Sequence, residues 1–388
     1  MKTYEEINEK IAKKECVVVT AEEIIELVRD YGEKKIVKEV DVVTTGTFGA
    51  MCSSGIFINF GHSEPPIKIQ KATLNGIPIY CGLAAVDAYL GATELDDKLN
   101  LKYGGAHVIE DFIKGKKIHF SAIGYPTDCY SRKKIDTYIS LKDVNQAIIF
   151  NPRNATQNYG AATNSSDKLI YTYMGKLLKN FGNVNYSSAG QLSPLINDPF
   201  YKTTGIGTRI FLCGTQGYVS WEGTQFRSKC PRDGNGVPKQ GAGSLGVIGN
   251  LKEAKSEFIQ AISIPNYGVS LRVGIGVPIP ILNEEILKYT LIRNKDISTT
   301  IYDYSISSRN RPTIGETNYE QLQSGFVEIF KKEVPTRALS NYKKAKKIAE
   351  ILKEWIEKGR FFLQGPIQHF SLDKTVKQLY IKKGGFAK

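Results

Sequence analysis

Two of the six cysteines in this sequence stand in surroundings suited to thiol chemistry. Cys52 lies in the Gly/Ser/Thr-rich stretch 44–55, and Cys129 lies in the turn-like stretch 124–134. Each stretch follows an apolar run typical of a strand, so each cysteine is predicted in a turn at a strand end. Three cationic side chains follow Cys129 within five residues. Nearby positive charge stabilises the nucleophilic thiolate, which makes Cys129 the stronger candidate against the alternative of an inert cysteine.

The other cysteines and the four histidines form no metal-binding pattern. No CxxC or CxxxH pair occurs, and Cys213 and Cys230 are 17 residues apart. We therefore expect no zinc site and no iron–sulfur cluster ligated by this chain. His62 stands in a polar turn, where it is a candidate general acid or substrate hydrogen-bond donor. The alternative for His62 is a purely structural role in the loop.

Composition indicates a folded protein without a membrane span. Hydrophobic residues make up 41% and charged residues 23% of the 388 residues, as in globular domains. No run of 18 apolar residues occurs, and the N-terminus lacks the apolar segment of a secretory signal. We therefore expect a cytoplasmic protein with reduced cysteines.

Positive charge is concentrated near the C-terminus. The net charge is +13, and residues 331–388 hold 15 Lys/Arg against 5 Asp/Glu. This excess has three interpretations: a solvated helical face, a docking surface for an acidic protein, or a nucleic-acid site. No nucleic-acid motif supports the third, so no nucleic-acid partner is expected.

Local patterns predict a mixed α/β domain. Thr20 and Glu23 have the spacing of a capping box at the start of a helix. Apolar residues from Tyr342 to Ile356 recur at helical spacing, with lysines on the opposite face. Strands are predicted between them at 40–45, 56–60, 77–81, 117–123, 208–213, 218–221 and 270–277. We expect one large domain over 1–388 with mixed sheets, in which 331–388 is a basic helical region.

Residues Gly241 to Gly246 match the pattern G-x-G-x-x-G. A dinucleotide site requires a strand directly before this pattern and a helix directly after it. The preceding residues 233–240 resemble a proline-containing loop, so a Gly-rich loop, which also suits a substrate lid, is favoured. A nicotinamide- or flavin-dependent oxidoreductase stays open as an alternative function.

Several stretches together resemble one protein family, the homocysteine biosynthesis proteins of anaerobic archaea and bacteria, which are L-aspartate semialdehyde sulfurtransferases. The similar stretches extend over almost the whole chain. They are residues 42–55 with Cys52, 59–63 with His62, 91–94, 103–111, 127–130 with Cys129, 150–154 with Arg153, 171–175, 218–225 with Glu222, and 274–280.

This resemblance implies a reaction in which sulfide-derived sulfur enters L-aspartate semialdehyde and gives L-homocysteine. It implies that Cys129 carries sulfur as a persulfide and that Cys52 is the second characteristic cysteine. It also implies a separate ferredoxin-domain protein as external reductant, with no cofactor bound by this chain. A non-catalytic persulfide carrier is a further alternative, and a homo-oligomer is possible.

Substrate-binding residues are assigned from residue type alone. Arg153 is the first choice for the substrate α-carboxylate, because a guanidinium binds a carboxylate through two parallel hydrogen bonds. Asp128 and Glu222 are candidates for the α-ammonium group, and His62 is a candidate donor.

Overall fold

Apolar residues at alternating positions place about a third of the chain in the strands of five β-sheets. The structure is a computed structural model that describes residues 1–51 and 53–380, and only the backbone of Met51. Cys52 and residues 381–388 lie outside the described residues. The strands are β1 Val18–Thr20, β2 Val42–Thr44, β3 Thr47–Met51, β4 Gly55–Asn59, β5 Ile69–Leu74, β6 Ile77–Ile79, β7 Asp87–Gly91, β8 Ile118–Gly124, β9 Lys134–Ile139, β10 Gln146–Asn154, β11 Ala161–Thr163, β12 Ile170–Thr172, β13 Gly175–Leu177, β14 Val184–Tyr186, β15 Arg209–Leu212, β16 Thr215–Glu222, β17 Leu245–Asn250, β18 Ile259–Ile264, β19 Gly268–Gly276, β20 Pro278–Pro280, β21 Ser298–Asp303, β22 Thr313–Asn318, β23 Phe326–Ile329 and β24 Lys332–Ala338. The α-helices are α1 Tyr4–Lys13, α2 Glu23–Tyr31, α3 Glu33–Glu39, α4 Gly105–Ile113, α5 Pro194–Asn197, α6 Glu284–Thr290, α7 Tyr319–Ser324 and α8 Tyr342–Glu357.

The largest sheet has nine strands and includes β3 and β4, the strands before and after Cys52 in the sequence. Its strand order is β18-β19-β15-β16-β17-β10-β4-β7, and β3 pairs with β19. The pairs of β10 with β4 and of β19 with β3 are antiparallel, with Phe150 opposite Gly55 and Leu271 opposite Met51. The segment that contains Cys52 thus connects β3 and β4, two strands whose partners belong to the same sheet.

Helix α8 covers β3 and β19. Its buried side chains are Ala345, Ile348, Ala349, Leu352 and Ile356. Close approach depends on glycine, since a Cβ on Gly46, in the turn before β3, would overlap the Ala345 carbonyl oxygen. The Thr44 hydroxyl donates to the Ala349 carbonyl at 2.9 Å. Helix α8 therefore fixes the start of the strand that leads to Cys52.

Two smaller sheets carry other parts of the site. The four-stranded sheet β6-β5-β8-β9 presents Cys129 in the connection between β8 and β9. The six-stranded sheet β22-β21-β11-β14-β24-β23 presents the loop 304–312 between β21 and β22. The first of these connections lies next to His62, beyond the end of β4, and the second contains Tyr304 and Arg311.

The predicted fold class, a mixed α/β single domain, is confirmed. The capping box is present, because the Thr20 amide donates to Glu23 at 2.7 Å and the Glu23 amide donates to the Thr20 hydroxyl at 3.2 Å. The helical description of 331–388 was too broad: 332–338 forms β24, and in the described part of this region only 342–357 is α-helical. No helix among the described residues is long and apolar enough to cross a membrane.

Candidate active site

Cys129 is the exposed member of the five described cysteines. It lies in the turn between β8 and β9, where the Thr127 and Tyr130 backbones bond to each other. The Thr127 hydroxyl lies 3.6 Å from the Cys129 sulfur. An exposed thiol held in a turn with an ordered hydroxyl beside it is accessible to sulfide and to a substrate.

The buried cysteines are poor nucleophiles by comparison. Burial raises the pKa of Cys213 and of Cys16 to about 12, and that of Cys81 to about 11. A thiol with such a pKa holds almost no thiolate at neutral pH. The exposure of the Cys129 thiol, in contrast to these buried thiols, supports the sequence-based preference for Cys129 as the nucleophile.

His62 lies next to the Cys129 turn, although 67 residues separate the two in sequence. The His62 ring centroid is 5.9 Å from that of Tyr130, the residue directly after Cys129. His62 is exposed and lines a cleft of about 400 Å³ together with Phe60, Arg132 and Asp136. The structure therefore brings His62 and Cys129 to one surface.

The cations beside Cys129 are partly engaged elsewhere. The Arg132 guanidinium donates to the carbonyl oxygens of Glu64 and Pro65. Lys134 forms an ion pair with Asp136 at 3.4 Å. Arg132 thereby ties the Cys129 turn to the turn that carries His62, which is a structural role that sequence proximity alone did not indicate.

Asp128 is exposed on the same turn as Cys129. It can face a ligand that approaches the Cys129 sulfur, but it lies beside the cysteine and not beside Arg153. The two residues proposed for opposite ends of the substrate amino acid are thus on different parts of the molecule.

Arg153 lies at the end of β10, beside the Cys52 segment. The Ser53 hydroxyl donates to the Arg153 carbonyl at 3.4 Å, and the Asn151 amide donates to the Ser54 hydroxyl at 2.9 Å. Because Ser53 is bonded to Cys52, the backbone of Arg153 lies one residue away from the second cysteine. Whether Cys52 shares a cleft with Cys129 stays a prediction, because Cys52 lies outside the described residues.

Glu222 ends β16 and pairs with Lys374 at 3.3 Å. In the strand register, Leu245 lies opposite both Glu222 and Asn154, so Glu222 is two strands away from the end of β10. The Glu222 carboxylate lies at the same end of the sheet as Arg153. The positive charge of Lys374 already neutralises it.

Strand β4 separates the two groups of candidate residues. Ser53 and Arg153 lie before its first residue, and His62 with the Cys129 turn lies beyond its last residue, where Gln146 is opposite Asn59. Five extended residues span roughly 13 Å at about 3.3 Å per residue. The described neighbours of the two cysteines therefore lie at opposite ends of β4.

Sequence reasoning missed a cluster formed by three tyrosines and one arginine. The Tyr159 hydroxyl donates to Tyr173 at 3.2 Å, and the Tyr173 and Tyr304 hydroxyls are 3.0 Å apart. The Arg311 guanidinium lies 4.0 Å from the centre of the Tyr304 ring. No sequence spacing links Tyr159 and Tyr173 to Arg311.

The Gly241–Gly246 segment does not have the geometry of a dinucleotide site. Residues 242–246 are buried, and the segment continues into β17 rather than into a helix. The Gln157 amide donates to the Gly243 carbonyl at 2.8 Å, which holds the segment against its neighbour. A dinucleotide pyrophosphate binds the N-terminus of a helix, and this segment does not supply one.

Metal ligation finds no support in the described part of the chain. Within residues 1–51 and 53–380, no group of three or more His, Cys, Asp or Glu side chains is placed to hold a metal ion. The site is thus described by its thiols, hydroxyls and guanidinium groups.

Comparison with known proteins shows the family. Residues 16–363 match the family described as homocysteine biosynthesis enzyme, sulfur-incorporation, and the chain belongs to this family. It is accordingly an enzyme of sulfur transfer in homocysteine biosynthesis.

Two relatives carry a specific name, L-aspartate semialdehyde sulfurtransferase. One, from Methanosarcina acetivorans, is 52% identical over 97% of this chain and 74% of its own length. The other, from Methanocaldococcus jannaschii, is 52% identical over 94% of this chain and 72% of its own length. An uncharacterized protein of Methanothermobacter thermautotrophicus is 29% identical over 83% of this chain and 72% of its own length. No solved structure matches the chain.

Proposed function

We propose that this protein inserts sulfide-derived sulfur into L-aspartate semialdehyde and gives L-homocysteine. The observation that carries the proposal is 52% identity, over almost the whole chain, to two relatives named for this substrate. The exposed thiol of Cys129, held beside Thr127 and close to His62, supports it, since a sulfur carrier must be reached by both donor and acceptor.

Cys129 carries the sulfur and Cys52 resolves it. Sulfide opens a Cys52–Cys129 disulfide, which leaves a persulfide on Cys129 and a thiolate on Cys52. The terminal sulfur of the persulfide adds to C4 of the aldehyde. Cys52 then attacks the Cys129 sulfur, which regenerates the disulfide and releases a thiohemiacetal. The two cysteines thus return to their starting state in each cycle, and only the carbon needs net reduction.

Two electrons and two protons complete the reaction. The thiohemiacetal loses water to give a thioaldehyde, and reduction of this group gives the thiol of homocysteine. The reductant is external, a ferredoxin-type iron–sulfur protein. Its acidic surface would meet the basic surface that includes Lys332 and Lys343, which are exposed.

Some lysines of α8 already bond to other residues of the chain and are less available to such a partner. Lys346 pairs with Glu22 at 3.0 Å, and Lys347 pairs with Glu257. Lys344 donates to the Glu257 carbonyl at 2.6 Å. These three lysines of α8 thus have acidic or carbonyl partners within the chain, and Lys343 has no ion pair to a described residue.

The other proposed residues act at two places. His62 supplies a proton beside the Cys129 turn. Asp128 can bind the substrate ammonium group while Arg153 binds the carboxylate only once the Cys129 turn lies beside Arg153, because both groups are attached to the same carbon. Arg153 binds the substrate carboxylate beside Ser53. Glu222 is the weaker candidate for the ammonium group, because Lys374 already pairs with it.

Replacement of Cys129 tests the proposal. Purified wild type, Cys129→Ser and a control, Cys230→Ser, receive sulfide, L-aspartate semialdehyde and a chemical reductant, and homocysteine is quantified. We expect the control to match the wild type and Cys129→Ser to form no homocysteine, because a hydroxyl cannot form a persulfide. An active Cys129→Ser variant would remove Cys129 from the mechanism. A wild type that accepts sulfur but never releases homocysteine would indicate a persulfide carrier.

A further inference from the structure

Two guanidinium groups, those of Arg153 and Arg311, form no ion pair with a described residue. Arg311 has a buried Nε with no hydrogen-bond partner among the described residues. In the same described set, neither Arg153 nor Arg311 forms an ion pair with a carboxylate. An unpaired donor away from water costs free energy, so such donors normally have a partner. Burial raises the pKa of Tyr159, and the positive charges of Arg153 and Arg311 oppose this effect.

The tyrosine hydroxyls of this cluster also include one O–H group that donates to no described residue. Tyr159, Tyr173 and Tyr304 form a chain of two hydrogen bonds. Three hydroxyls carry three protons, so one O–H has no acceptor among the described residues. Burial raises the pKa of Tyr159 and of Tyr304 well above the usual range, against the opposing effect of Arg311. Both hydroxyls therefore stay protonated at neutral pH.

This cluster lies where the Cys52 segment meets the sheet. Ser53 donates to the Arg153 backbone. Met51 is opposite Leu271, and the turn four residues before Leu271 carries Tyr267, whose ring centroid is 6.4 Å from that of Tyr173. Ser53 thus contacts the backbone of Arg153, and Tyr267, in the turn before the strand that pairs with β3, contacts the tyrosine cluster.

We propose that Arg311, Arg153 and the Tyr159–Tyr173–Tyr304 hydroxyls form the binding site for the α-carboxylate of the amino-acid substrate. The proposal rests on the proposed function and assigns Arg311 and the tyrosines, which neither the sequence nor the family comparison singles out. A carboxylate fits because two guanidinium groups supply charge-assisted donors and the tyrosine chain supplies the remaining O–H. Carboxylate binding here places the substrate next to the segment of the second cysteine.

The cation–π contact of Arg311 with Tyr304 does not by itself account for this arrangement. Such a contact uses the face of the guanidinium and leaves its N–H groups without acceptors. A structural role would make Arg311 matter for stability, whereas a binding role makes it matter for ligands that contain a carboxylate. The two roles are therefore separable by experiment.

Two ligands distinguish carboxylate binding from other contacts. L-homoserine is the alcohol that corresponds to the aldehyde substrate, and 3-aminopropan-1-ol is the same molecule without the carboxylate. Isothermal titration calorimetry measures both with wild type, Arg311→Gln, Tyr304→Phe and a control, Arg309→Gln. Arg309 is exposed on the same loop, so its replacement removes the same charge.

We expect Arg311→Gln to weaken homoserine binding about 10- to 100-fold, the loss for hydrogen bonds to a charged group. Binding of 3-aminopropan-1-ol should not change, Tyr304→Phe should weaken homoserine less, and Arg309→Gln should match the wild type. Wild-type affinity of Arg311→Gln for homoserine, or equal losses for both ligands, would overturn the proposal. Equal wild-type affinities for homoserine and 3-aminopropan-1-ol would also overturn the proposal.

The sulfur-transfer assay separates failure of this proposal from failure of the proposed function. Homocysteine formation by the wild type, together with unchanged homoserine binding in Arg311→Gln, would refute the carboxylate site alone. Arg311-dependent homoserine binding without homocysteine formation would refute the proposed reaction and leave the carboxylate site standing.

Discussion

Replacement of Gly46 by alanine tests whether α8 positions the Cys52 segment. An added Cβ would overlap the Ala345 carbonyl oxygen and would lie 3.1 Å from the Ala345 carbonyl carbon and 3.2 Å from the Ala349 amide nitrogen. These are backbone atoms of a helix, so no side-chain rotation relieves the overlap. The turn and α8 must instead separate by more than about 1 Å to restore ordinary contact.

The displacement of the turn from α8 determines the expected loss of stability and of activity. Overpacking of this kind destabilises proteins by about 1–3 kcal/mol. Because Gly46 directly precedes β3, the shift also moves the strand that leads to Cys52, and a misplacement of about 1 Å at a reactive group can reduce the rate about 100-fold. We therefore expect Gly46→Ala to lose both stability and homocysteine formation.

Urea unfolding and the homocysteine assay measure the two effects. Gly315→Ala is the matched control, because a Cβ there meets no atom within 4 Å, and we expect it to behave as the wild type. Wild-type stability and activity in Gly46→Ala would refute the claim that α8 holds this turn. A loss of stability with full activity would show that the position of β3 does not matter for catalysis.

Two further predictions concern the partners of the chain. Lys332→Glu with Lys343→Glu should slow turnover supported by a ferredoxin-type donor at low salt and leave turnover with a small neutral reductant unchanged, because attraction between exposed charges is screened beyond about 8 Å at physiological ionic strength. Equal loss with both reductants would assign these lysines to folding. Mixing the inactive variants Cys52→Ser and Cys129→Ser should restore part of the activity, since β4 keeps the described neighbours of the two cysteines at opposite ends. A mixture as inactive as its components would mean that exchange takes place within one chain after a loop moves.

Sequence patterns within a few residues were sufficient to predict the start of α2 and the helix α8. The Thr20–Glu23 capping box and the apolar face of α8 are encoded within a few residues, and both are present. The fold class also followed from such patterns. The extent of the basic helical region did not, because net charge is not a signal for helix and 332–338 pairs with β23 instead.

Polar strands in the middle of the chain escaped prediction because distant residues satisfy their side chains. Asn151 is buried within β10 and donates to Ser54, 97 residues away. Asn185 is buried within β14 and donates to the Met174 carbonyl at 2.7 Å. Asparagine normally favours turns, so a sequence pattern assigns such stretches to loops until the long-range partner is known.

In the candidate site, too, local features could be predicted from the sequence and long-range contacts could not. The turn positions of Cys129 and His62 were predicted locally, whereas their proximity depends on Arg132 bonding to the Glu64–Pro65 turn. Arg311 was missed altogether, since its relation to Tyr159 arises only when β21 pairs with β11. Substrate-binding residues supplied by separate sheets carry no common sequence spacing.

Persulfide transfer from Cys129 is the central claim, and a sulfide pulse and chase followed by mass spectrometry tests it most directly. Isotopically labelled sulfide is added to the oxidised protein, excess is removed, and L-aspartate semialdehyde with a reductant follows. We expect the peptide that contains Cys129 to gain about 32 Da or slightly more for the heavier isotope, and to lose this mass as labelled homocysteine appears. Labelled homocysteine without any mass gain on the Cys129 peptide, or a persistent gain that the substrate never removes, would contradict the account.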